Sequence, residues 1–175
     1  WLNDDGGIEA DLTVTRLSEQ EYLVVTAAAS QTRDLHWLKS SIRPDEHVFA
    51  TDVTGAYSVL SVMGPRAREL LQKLTPAQLS NEGFPFGTSQ EIEMGYALVR
   101  ATRISYVGEL GWEIYAPSEF ALGVFDRLVD AGQAFGLQPA GLHALNSLRI
   151  EKAYRHWGHD IGPDDNPFHA GLSFA

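Results

Sequence analysis

An α+β fold is predicted by three observations on this chain of 175 residues. Residues 8–17 and a second run from Glu21 alternate apolar with polar residues at strand period. From Tyr57 onward the patterns run strand, helix, strands, helix, which suits a split βαβ-type layer of sheet and helices. Four further segments place apolar residues three and four apart between recognisable start and stop signals, the mark of helices packed on one face.

The elements follow in order. "IEADLTVTRL" and "EYLVVTAA" read as partner strands joined by "SEQ". "SQTRDLHWLKSSI" has Ser30 at a helix N-cap and Leu35, Leu38 and Ile42 at helical spacing, and Arg43-Pro44 stops it. "TDVTGAYSVLSVMG" reads as β structure bent at Gly55. Pro65 opens a short helix, "PRARELLQKL", where a missing N–H costs nothing, and Thr75-Pro76 closes it. Residues 76–90 are turn-rich. "QEIEMGYALVRATRISY" and "GWEIYAP" are strands, with Gly108 and Gly111 predicting a hairpin turn between them. "SEFALGVFDRLVDAGQAF" is a helix capped at Ser118, with Phe120, Val124, Leu128 and Phe135 on one face and Gly136 as its stop. The last helix, "AGLHALNSLRIEKAY", carries a stripe of Leu142, Leu145 and Leu148. Apolar residues at both ends, Trp1-Leu2 and "NPFHAGLSFA", predict a segment of a longer polypeptide.

Composition narrows the function classes. The formal net charge of −10 repels phosphate backbones and argues against nucleic acid as the partner. The chain has no cysteine, which removes disulfides, thiolate metal sites and a thiol nucleophile. No apolar run reaches the roughly 18 residues of a membrane span, so no membrane partner is expected. The first residues lack the pattern of a secretory signal.

Three stretches carry chemistry. In "NDDGGIEAD", Asp4, Asp5, Glu9 and Asp11 crowd around a glycine turn. This is either a solvated acidic loop or, for Asp11 placed inside the strand, a carboxylate able to exchange a proton with an amine nitrogen. In "SYVGELGWE", a hairpin centred on "VGEL" would set Tyr106 opposite Glu113. That is either an exposed cross-strand pair or a clamp, since a carboxylate accepts two adjacent N–H donors. In "LNSLRIEKAYRHWGHD", Arg149 lies one position off the leucine stripe, either paired with an acid or reaching a pocket. His156, His159 and Asp160 lack a third ligand at useful spacing, so no metal site is expected. Glu109 reads as a turn residue.

In that order, "LNDDGGIEADLTVTRL", "SVMGPRARELLQKL", "TRISYVGELGWEIYAP" and "NSLRIEKAYRHWGHDI…PFHAGLSFA" resemble the folate-binding aminomethyltransferase family, which includes the T-protein of the glycine cleavage system. The wording of "GGIEADLTVTRL" and "YRHWGHDI" most resembles the folate domain of dimethylglycine and sarcosine dehydrogenases. The resemblance covers nearly the whole chain. It implies a three-lobed cloverleaf with residues 1–50 in the first lobe, 51–140 forming a middle antiparallel lobe, and 141–175 returning to the first. A further upstream start, a C-terminal barrel lobe and an FAD domain would lie elsewhere in the protein, as partners of this segment.

The resemblance also implies a role for single residues. Asp11 matches the catalytic aspartate, Tyr106 and Glu113 match the tyrosine and glutamate that hold the pterin, and Arg149 matches an arginine for the anionic tail. The implied reaction is capture on tetrahydrofolate of a one-carbon unit from an N-methyl amine, giving 5,10-methylenetetrahydrofolate, in bacterial cytoplasm or the mitochondrial matrix. A standalone aminomethyltransferase and a non-catalytic regulatory scaffold are the other functions found with this pattern.

Overall fold

The computed structural model describes residues 1–174. The chain forms two compact units, Trp1–Asp52 with Arg155–Ala175, and Val53–Tyr154.

In the discontinuous unit, β1 (Leu12–Arg16) and β2 (Tyr22–Thr26) pair antiparallel, Leu12 opposite Thr26 and Arg16 opposite Tyr22. Helix α1 (Gln31–Ser40) follows, with Ser30 at the predicted cap position but without a side-chain cap bond. The buried Asp34 accepts hydrogen bonds from the Thr26 hydroxyl and from Arg33 at 3.0 Å, so its charge is met inside the fold. A small core joins the two ends of the sequence. Ile8 packs with Ile161 and Ala170, flanked by Trp157 and Leu172. The Trp157 indole donates to the Ile8 carbonyl at 2.6 Å, and the Ile8 amide donates to the Asp165 carbonyl at 2.8 Å. Arg33 pairs with Glu9 and stacks 4.7 Å from the centre of the Trp157 ring. The approach is so close at Gly7 that a Cβ there would lie 1.7 Å from the Pro163 carbonyl oxygen, which only glycine permits.

The continuous unit is built on a sheet in the order β3–β6–β5–β4, antiparallel throughout. Its strands are β3 (Tyr57–Met63), β4 (Ser89–Met94), β5 (Ala97–Thr102) and β6 (Gly111–Pro117). Helix α2 (Ala67–Leu71) lies in the connection from one edge strand, β3, to the other, β4. Helix α3 (Ala121–Gly132) and α4 (Leu142–Glu151) complete the unit. One face of the sheet, with Val62, Ile92, Val99, Trp112 and Ile114, packs against Leu70, Leu71, Val124 and Leu128 of α2 and α3. Trp112 is fully buried and meets Phe84 edge to face at 6.1 Å, worth about 0.5–1.5 kcal/mol beyond the area it hides. The Arg68 and Arg103 guanidinium groups lie 5.9 and 5.6 Å from its ring centre, and both donate to the Asn81 side-chain oxygen. Burial, then the neighbouring Arg68 charge, lowers the proton affinity of Arg103.

Three expectations need correction. The hairpin lies at Gly95-Tyr96, between β4 and β5, and the chain from β5 to β6 is an irregular loop, residues 103–110. Phe120 is exposed, and Ser118 caps nothing: its hydroxyl donates to the Gly55 carbonyl at 2.9 Å. On α4 Leu142 and Leu148 face outward, Leu142 at 67% exposed, and Leu145 is half-buried, whereas Arg149 is 2% exposed. The helix is rotated so that the residue beside the stripe points in, and the arginine's bonds to its own helix and the following turn make this tolerable.

Candidate functional site

The sheet face turned away from α2 and α3 gathers the polar residues. Because side chains alternate along a strand, directly paired residues share a face. Ser89 pairs with Thr102, Thr102 with Glu113, and Glu113 with Ser61, a single polar row across all four strands. The next row joins Glu91, Arg100, Tyr115 and Val59. Within these rows, the Thr102 hydroxyl donates to Ser89 at 3.0 Å, and Arg100 pairs with Glu91 at 3.2 Å.

Glu113 sits on the inner strand β6, half-buried. Its Oε2 accepts the Tyr115 hydroxyl at 2.5 Å. Its Oε1 has no hydrogen-bond partner among the described residues. Tyr115 is the functional candidate that sequence reasoning missed. Its signal was the E-I-Y spacing, since residues i and i+2 of a strand point the same way. Burial foremost, then the hydrogen bond and charge of Glu113, holds the Tyr115 phenol well above its ordinary range, so it stays a donor at any physiological pH.

Tyr106 is not across the ladder from Glu113, because Thr102 occupies that position. Instead Tyr106 lies in the 103–110 loop with its ring 6.4 Å from that of Tyr154. Arg149 donates from Nη1 to the Tyr154 carbonyl at 2.7 Å and from Nε to the Asn146 side chain at 2.9 Å. Tyr154 thus links Arg149 to Tyr106. The same end of α4 meets the loop again through Lys152 and Glu109, 3.6 Å apart, which gives Glu109 a surface pairing. A cavity of about 300 Å³ lies beneath this loop, lined by Phe86, Arg103, Ser105, Glu109 and Leu110, with none of Tyr106, Glu113 or Arg149 among its walls.

Asp11 belongs to the discontinuous unit, and immediately precedes β1 rather than lying within it. The residue is exposed, yet enough protein surrounds the carboxyl that burial raises its proton affinity, against the opposing pull of His156. His156 and His159 stack at 6.0 Å, while Asp160 accepts the His156 backbone N–H and meets the His159 ring at 3.0 Å. Among the described residues no group of three or more His, Asp or Glu is arranged to hold a metal. The site residues therefore fall into an Arg149–Tyr154–Tyr106 set, a Glu113–Tyr115 pair, and Asp11 in the other unit.

Comparison with known proteins gives a consistent result. The family model described as the GCVT N-terminal domain matches residues 1–175. The chain is 46% identical to the 4-methylaminobutanoate oxidase (formaldehyde-forming) of Paenarthrobacter nicotinovorans, over 100% of this chain and 21% of that protein. It is 40% identical to the mitochondrial dimethylglycine dehydrogenase of Rattus norvegicus, over 99% of this chain and 20% of that protein. The chain thus spans about a fifth of the length of these relatives. The solved glycine cleavage system aminomethyltransferase T from Bartonella henselae superposes with a TM-score of 0.81 at 30% identity, over 99% of this chain and 45% of that one. No helix among the described residues is long and apolar enough to cross a membrane. With its α+β units and its sequence both matched end to end, the chain belongs to the GCVT N-terminal domain family.

Proposed function

We propose that this chain is a tetrahydrofolate-binding domain that receives a one-carbon unit from oxidative demethylation of an N-methyl amine of the dimethylglycine or sarcosine class. FAD would be carried by another domain of the longer protein. The carrying observation is Glu113: a carboxylate on an inner strand, fixed through one oxygen and uncommitted at the other. Adjacent carboxylate acceptors suit the ring N–H and exocyclic amine of a reduced pterin, so the donor and acceptor chemistry fits the group. Bound tetrahydrofolate supplies two nitrogens, N5 and N10, that accept the carbon as 5,10-methylenetetrahydrofolate.

The chain's own residues bind and orient. Glu113 takes the pterin edge. Tyr106 offers a half-buried ring and hydroxyl, held in place by Tyr154. The burial of Arg149 and its bonds to Asn146 and Tyr154 favour an internal holding role over open contact with the anionic tail. Asp11 holds and moves the proton at the reacting nitrogen, and its raised proton affinity brings it nearer to that task. Similarity to an oxidase and a dehydrogenase of N-methylated amines supports the demethylation context over a standalone aminomethyltransferase.

Calorimetric titration of the full-length protein with tetrahydrofolate tests the reading. Glu113→Gln should weaken binding by about 1.5–3 kcal/mol, roughly 10- to 150-fold. Unchanged affinity would remove the pterin role. Asp11→Asn should keep binding and lose formation of the methylene product; full turnover in that variant would take Asp11 out of the mechanism.

A further inference from the structure

A carboxylate that must meet two adjacent N–H donors has to be held at one rotation. A glutamate with three free torsions loses that pose unless something fixes it. On β6 the fixing group is visible. Tyr115 lies two residues from Glu113 on the same face, is 4% exposed, and donates its hydroxyl to Oε2 at 2.5 Å. Of the other polar groups in the two rows, Thr102 bonds to Ser89 and Arg100 pairs with Glu91, while Ser61, opposite Glu113 on β3, makes no hydrogen bond to the carboxylate. Among the described residues Tyr115 is the hydrogen-bond partner of Glu113.

We propose that Tyr115 is the positioning residue for Glu113, its hydroxyl occupying one of the carboxylate's four acceptor directions so that the remaining ones present to a pair of ligand N–H groups. This rests on the reading of Glu113 as the pterin acceptor. Each carboxylate oxygen accepts two hydrogen bonds, so the Tyr115 bond leaves both Oε1 directions and one on Oε2 open. The bond is charge-assisted, and burial of the phenol shields it from competing water. Phenylalanine at this position would keep the ring and its packing while releasing the carboxylate to rotate.

The test is a double-mutant cycle on the full-length protein, read by calorimetric titration with tetrahydrofolate: wild type, Tyr115→Phe, Glu113→Gln and the double variant. Tyr115→Phe should weaken binding about five- to tenfold. In the Glu113→Gln background the same change should shift affinity by less than about twofold, because the group being positioned is already altered. Wild-type affinity in Tyr115→Phe overturns the proposal. An equal loss in both backgrounds also overturns it, since a general effect on packing would act regardless of Glu113. If Glu113→Gln weakens binding while Tyr115→Phe does not, the positioning role fails and the folate reading stands. If neither variant changes affinity, the folate reading of Glu113 fails first and takes the positioning role with it.

Discussion

Asp11 binds its proton more tightly than a solvated carboxylate, and the cause sets a sign for its pH behaviour. Burial lifts its pKa above the ordinary 3.8, so folding takes up protons between the two values. The stability that Asp11 contributes is therefore greatest below the unfolded value and is lost as pH rises through the folded one. Asp11→Asn, which cannot ionise, should match the wild type at about pH 4 and exceed it slightly at about pH 7, in urea unfolding at both. The gap should stay within about 0.5 kcal/mol because the residue is exposed. Arg149 behaves oppositely: it is buried and its bonds close the turn after α4. Arg149→Ala would strand the Tyr154 carbonyl and empty a buried volume, and should cost about 2–4 kcal/mol by denaturant unfolding. That burial could not be read from the leucine stripe beside it, because periodicity ranks residues by polarity and gives an arginine no credit for internal acceptors.

Among elements, the helix stop and the glycine turn make separable predictions. Gly136 has a φ of 74°, with open space where a Cβ would go. Gly136→Ala should cost about 1–2 kcal/mol in chemical denaturation, from the left-handed backbone alone. Gly7→Ala meets a carbonyl oxygen that cannot move aside, so it should cost more than about 3 kcal/mol and show as loss of hydrogen-exchange protection in the discontinuous unit. The strand and helix order was legible from strand alternation, the breaks at proline and the glycine at 136. The β5–β6 connection was not. Its eight residues mix Tyr106, Val107 and Leu110 with the polar Arg103, Ser105 and Glu109, and at that length the glycines suggested a tight hairpin that the backbone does not make. Once Thr102 faces Glu113, the partner of Glu113 is its own strand neighbour rather than a residue across the turn.

At the scale of the whole molecule, one unit interrupts the other. The core around Ile8 takes Ile161 and Ala170 from the far end of the sequence, so residues 1–52 cannot close it alone. A chain ending at Tyr154 should keep slow amide exchange in β3–β6 while residues 1–52 exchange as an open chain. Protection in both regions would show that the returning segment is dispensable. The motif order was legible at this scale because the family pattern spans both units. Composition alone does not mark the division at Asp52, since no linker-like stretch lies there. The interruption has a consequence during translation. After the opening segment leaves the ribosome, roughly 100 residues must be made before its complement appears, about 5–20 s at ordinary elongation rates. Throughout that interval Ile8 waits without Ile161 and Ala170, so residues 1–52 should stay open to holdase chaperones until the returning segment emerges.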